Sequence, residues 1–73
     1  MVDEKLLKQI GQNIRKYRKL KKYSQEKLAE IVDVCYTTIG RIETGKLNTS
    51  ITMIGKIAKG LEVHPKVFFD FAE

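Results

Sequence analysis

The chain has 73 residues, 32% charged and 42% hydrophobic, with formal net charge +5, sequence pI near 9.5 and a single cysteine. That length makes one domain whose core buries only about 60–65% of the unfolded surface, which leaves little room for a deep active site. One cysteine excludes an internal disulfide, no apolar run reaches the roughly 20 residues of a membrane span, and the N-terminus lacks the features of a signal peptide, so a cytoplasmic setting is expected.

In chain order, the first helix is expected over about Asp3 to Lys21, because Leu6 or Leu7, Ile10, Ile14 and Tyr17 recur at spacings of three and four. Its end is basic (Arg15, Lys16, Arg18, Lys19, Lys21, Lys22), which suits the negative end of the helix dipole and equally suits phosphates. Ser24 has the chemistry of an N-cap for a second helix over Gln25 to Val32, with Leu28, Ile31 and Val32 as its apolar face. Asp33 ends that helix, since Asp tolerates a left-handed backbone. Val34 anchors the turn, and a third helix follows over Tyr36 to Glu43. There Ile39 and Ile42 face inward and Tyr36, Thr37, Gly40, Arg41 and Thr44 outward. Gly40 lowers helix propensity by about 1 kcal/mol, so either something approaches closely there or the site is tolerant. Thr44-Gly45-Lys46 stops the helix.

Ser50 is the expected cap of a fourth helix over Ile51 to Gly60, with Ile54, Ile57, Ala58 and Leu61 buried, and Pro65 opens a short fifth helix carrying Val67, Phe68, Phe69 and Phe71. Nothing reads as a strand. The expectation is an all-α fold of five short helices, one domain over residues 1–73, with a helix–turn–helix unit at about 24–46.

These elements resemble the lambda-repressor/Cro-like helix-turn-helix family of the xenobiotic-response-element type. The resemblance covers about residues 7 to 70. It is carried by Ile14 and Arg18, the run Ser24-Gln25-Glu26-Lys27-Leu28-Ala29, Val34, Ile39, the run Arg41-Ile42-Glu43-Thr44-Gly45-Lys46, and Ile57 to Val63. Three departures stand out: Lys22 and Asp33 occupy positions where the family usually has glycine, and Thr49 replaces a frequent proline. A lysine with positive φ would carry about 1 kcal/mol of strain.

The resemblance implies that the third helix enters the major groove of double-stranded DNA. Tyr36, Thr37 and Arg41 are then the expected base contacts, Arg41 by bidentate bonding to guanine. Gln25, Thr38, Thr44, Lys46, Asn48 and Arg18 are the expected phosphate contacts. Gln25 has the further option of bonding a neighbouring side chain. The resemblance also implies a salt bridge between Arg18 and Glu43. Cys35 stands where the family commonly has a capping Ser or Thr, and a thiol caps poorly. A redox role there is conceivable, a tolerated small residue simpler.

His64, the lone histidine, is expected to be a cap or surface residue. With one Cys and one His far apart, no metal or cofactor is expected, and without a nucleophile motif or phosphate loop, no enzymatic activity. Phe69 and Phe71 cannot both join Phe68 in the core, and an interface between two copies is expected there. The expected function is a transcriptional regulator, by default a repressor, binding a palindromic operator as a homodimer in a prokaryotic or phage cytoplasm, with no small-molecule effector. The alternatives are an antitoxin that also binds a toxin, and a protein-interaction module that does not read DNA.

Overall fold

Capping chemistry sets the helix boundaries in the computed structural model, which describes residues 3–71. The Asp3 carboxylate accepts from the Leu6 amide (3.0 Å) and starts α1, Glu4–Leu20. Ser24 Oγ accepts from the Lys27 amide (2.9 Å) and starts α2, Gln25–Val32. Ser50 Oγ accepts from the Met53 amide (3.1 Å) and starts α4, Ile51–Leu61. In each case one of the unpaired amides of a first helical turn is satisfied. The exception is α3, Tyr36–Glu43, where Cys35 makes no side-chain cap bond. The expected spans hold for α2 and α3; α1 is a residue shorter at each end, because Asp3 caps rather than joins it, and α4 runs one residue longer than expected.

The expected fifth helix is instead a 3-10 turn, Pro65–Phe69. Five residues opening on a proline are too few for the i→i+4 ladder, and the tighter pattern takes over, seen in the Val67 amide donating to the His64 carbonyl (3.1 Å). His64 caps it, its Nδ1 accepting from the Lys66 amide (3.1 Å).

One core joins these elements: Ile10 and Ile14 of α1, Leu28, Ala29 and Val32 of α2, Ile39 and Ile42 of α3, Ile54, Ile57, Ala58 and Leu61 of α4, and Phe68. Tyr17 meets Phe68 edge-on, ring centroids 6.2 Å apart. Ile31, expected on the apolar face of α2, is 39% exposed. It sits at the outer edge of that stripe, beside Lys56 and Lys59 of α4.

Three non-glycine residues adopt a left-handed backbone: Lys22 (φ 62°), Asp33 (φ 61°) and Glu62 (φ 59°). The first two stand at the family's usual glycine positions. Each closes a helix: the Tyr23 amide donates to the Arg18 carbonyl, Val34 to Ala29, and Val63 to Ala58. Between α2 and α3 the chain therefore reverses within three residues, Asp33 to Cys35, with half-buried Val34 packed on the core. That reversal fixes α3 across α2.

Candidate nucleic-acid interface

Alternation along α3 divides it sharply. Ile39, Ile42 and Glu43 are buried, while Tyr36, Thr37 and Arg41 are exposed, Tyr36 by 55%. Those exposed residues are the expected base-reading set, and they lie together on one outward face. Thr38 is half-buried at the edge of that face. Beyond it, Thr44, Lys46 and Asn48 are exposed on the loop that leaves the helix. Thr44 Oγ1 donates to the Gly40 carbonyl (2.9 Å), and the Lys46 amide donates to the Arg41 carbonyl (2.8 Å). The loop is thus fastened to the end of α3. Gly45 (φ +73°) makes that closure without strain.

A three-helix node orients the face from behind. Arg18 of α1 donates from Nε to Glu43 Oε2 (2.6 Å) and from Nη2 to Glu43 Oε1 (3.1 Å), while Nη1 donates to the Tyr23 carbonyl (2.8 Å). Gln25 of α2 donates from Nε2 to the same Glu43 Oε1 (3.1 Å). One carboxylate on α3 is therefore held from α1 and α2 together, in a bidentate charge-assisted geometry. The expected Arg18–Glu43 salt bridge is present, with side chains 9% and 2% exposed.

That burial gives Arg18 a structural role first: its guanidinium is bonded on all three nitrogens, and of its five N–H hydrogens two, one on each terminal nitrogen, remain beyond those bonds. Gln25 takes the second of its two expected roles, bonding a neighbouring side chain. It keeps its amide oxygen and one N–H hydrogen beyond the bond to Glu43. Of the two readings of Gly40 the tolerant one holds: the nearest atoms, those of the Gln25 amide, lie 3.7 Å from where a β-carbon would stand, an ordinary contact.

Gly11, which belongs to no recognition motif, also shapes this face. A β-carbon there would lie 2.4 Å from the Ile42 carbonyl oxygen and 2.6 Å from that of Glu43. α1 and α3 meet backbone to backbone at this point, which sets the depth at which the recognition face sits. A lone glycine inside a strongly periodic helix was the available signal.

On the flank beside the loop lies an apolar groove lined by Leu6, Leu47, Ile51, Ile54 and Phe69. Ile51 is 90% exposed and Phe69 49%. Phe71, expected beside Phe69, instead lies half-buried on α1 against Gln9, Gln12 and Asn13. The separation has a cause: Asn13 Nδ2 donates to the carbonyls of Phe68 (3.0 Å) and Asp70 (3.2 Å), so the terminal backbone runs along α1 and consecutive aromatics face different ways. Cys35 is exposed at the start of α3. Among the described residues no helix is long and apolar enough to cross a membrane.

Comparison with known proteins agrees with this geometry. A family model described as helix-turn-helix matches residues 14–68. Control protein C.BamHI of Bacillus amyloliquefaciens is 47% identical over 63 residues, covering 85% of this chain and 78% of that protein. Control protein C.SmaI of Serratia marcescens is 36% identical over 52 residues, covering 71% of this chain and 62% of that protein. The crystal structure of the restriction-modification controller protein C.AhdI from Aeromonas hydrophila superposes with TM-score 0.84 at 35% identity, over 86% of this chain and 96% of that one. The biofilm master regulator SinR, solved in complex with DNA, superposes with TM-score 0.78 at 37% identity, over 84% and 98% of the two chains. With the outward face of α3, the node behind it and these relatives in agreement, the chain belongs to the lambda-repressor/Cro-like helix-turn-helix family, alongside the restriction-modification controller proteins.

Proposed function

We propose that the protein is a sequence-specific, double-stranded-DNA-binding transcriptional regulator of the restriction-modification controller kind, acting as a homodimer. The observation that carries this reading is the rigidly backed, outward face of Tyr36, Thr37 and Arg41 on a basic protein. Arg41 presents a fork suited to guanine O6 and N7, and Tyr36 and Thr37 offer hydroxyls and apolar surface to neighbouring base edges. Gln25, Thr38, Lys46 and Asn48 supply amide, hydroxyl and ammonium donors to the flanking phosphates and fix register, while Thr44, whose hydroxyl donates to the Gly40 carbonyl, fastens the loop that carries them. With no base-reading residue drawn from the core, specificity can change at this face without repacking the fold.

The dimer reading rests on the groove of Leu6, Ile51 and Phe69. An isoleucine exposed over nine-tenths of its surface beside a half-exposed phenylalanine invites burial by a second copy. Asn48 lines this groove and also the cleft beside the loop, so the contact would adjoin the phosphate-facing segment. A two-fold axis there would present both α3 helices to one side of the duplex, with half-sites about 34–36 Å apart.

Selection from a random duplex pool at about 150 mM salt, with sequencing of the bound fraction, tests the proposal; counterion release makes lower salt too permissive. Enrichment of a motif with two-fold symmetry is the expected result. Recovery of unenriched DNA would reject sequence-specific regulation.

A further inference from the structure

The cleft between α1 and the loop after α3 brings together residues far apart in sequence. Glu4, Leu7 and Lys8 line it from α1, and Thr44, Gly45, Lys46 and Asn48 line it from the loop, around an open volume of about 630 Å³. The contact is intimate: a β-carbon on Gly45 would lie 2.6 Å from Cγ of Lys8 and 2.9 Å from its Cα and backbone nitrogen. Only glycine allows both the left-handed turn (φ +73°) and this approach. Lys8 is exposed, as are Lys46, Thr44 and Asn48.

Resting on the DNA reading above, we propose that this cleft is a phosphate seat in which Lys8 of α1 closes the grip begun by Lys46 and Asn48. The lining suits a phosphodiester: one lysine comes from α1 and one from the loop, with the Asn48 carboxamide on the loop side, and Thr44 holds that loop through its bond to the Gly40 carbonyl. Nothing in the recognition motif requires a lysine so near the start of α1; its use follows from the packing of α1 against the loop. Glu4, one turn before Lys8 on the same wall, opposes an incoming phosphate. It favours the helix N-terminus while weakening the grip, and so holds DNA affinity below the maximum the seat could give.

The test is the salt dependence of binding between 50 and 200 mM, measured by fluorescence anisotropy on the selected duplex and on a random-sequence duplex. Lys8→Gln is compared with Lys59→Gln, a lysine exposed on α4 beside Ile31 and Lys56 and outside the cleft's lining. Thermal melts establish that each variant is folded. The expected result for Lys8→Gln is a slope of log K against log salt lower by about 0.9, which makes the loss about three- to fourfold greater at the low-salt end than at the high. The loss should be equal on both duplexes. Lys59→Gln should leave the slope unchanged, and Glu4→Gln should tighten binding to both duplexes. An unchanged slope for Lys8→Gln, or an equal change for Lys59→Gln, overturns the seat while leaving the DNA reading standing. Failure of the unmodified protein to bind either duplex overturns both.

Discussion

A buried guanidinium is stable only while its counter-charge is in place. Glu43→Leu should therefore destabilise the fold by about 3–5 kcal/mol, since it strands Arg18 in an enclosed site. Arg18→Met with Glu43→Leu should recover most of that loss, because neither charge is then buried alone. Chemical denaturation of the two single variants and the double variant measures the coupling, and strictly additive losses would mean the pair contributes nothing. Arg41 is the contrast. It is exposed, so Arg41→Ala should leave the melting temperature unchanged while weakening operator binding by about 1–3 kcal/mol and relaxing preference at one base pair. An equal loss on random DNA would assign Arg41 to phosphate. Arginine at both positions is plain in the sequence; which one is walled in depends on where α3 lies.

At the scale of elements, the α1–α3 contact is the tightest. Gly11→Ala places a methyl 2.4 Å from the Ile42 carbonyl oxygen. Backbone must move, and a loss of about 1–3 kcal/mol is expected by thermal or urea unfolding, despite alanine's better helix propensity. A smaller effect belongs to the link between the α1–α2 turn and the end of α4. Lys21 donates to Glu62 and holds that carboxylate below its ordinary value of 4.5, with the lysine charge adding to the effect. The lowered carboxylate stabilises the fold above its ordinary value, and the contribution is lost as pH falls through the lower folded one. The same bond raises Lys21, whose contribution fades only as pH climbs through that raised value. Both groups are exposed and screened by salt, so Glu62→Gln should lower the melting temperature slightly at pH 7 in dilute buffer and not measurably at 1 M salt. Persistence of the shift at high salt would mean it arises instead from the left-handed backbone at Glu62.

For the molecule as a whole, the core of a 73-residue chain leaves a thin margin, and covering the Leu6–Ile51–Phe69 groove is a way to enlarge it. Ile51→Glu should give a folded monomer by sedimentation, with the melting temperature no longer rising with protein concentration. Binding to a full operator should fall to that of a half-site, because the second recognition helix is no longer linked. A variant that remains dimeric would move the interface elsewhere. The Asn13 bridge to the terminal carbonyls matters here too, since it faces Phe69 toward the groove and Phe71 onto α1.

Four helices, the Ser24 and Ser50 caps, the outward face of α3 and the left-handed turn at Asp33 are legible in the residues, because each follows from interactions within a few positions of the chain, whereas the left-handed Lys22 follows from the family's usual glycine there. Serine caps, three-and-four spacing and a Thr-Gly-Lys stop are local chemistry. The Arg18–Glu43 pair came from the family pattern rather than from periodicity. What only the tertiary structure decided is what distant segments do to one another. Gly11 is pressed against the α3 backbone, Gln25 joins the Glu43 node, Lys8 faces the loop, and Phe71 parts from Phe69. Each depends on the angles and depths at which the helices and the terminal segment pack on one another, set by contacts between residues from 18 to 55 positions apart that no local pattern encodes.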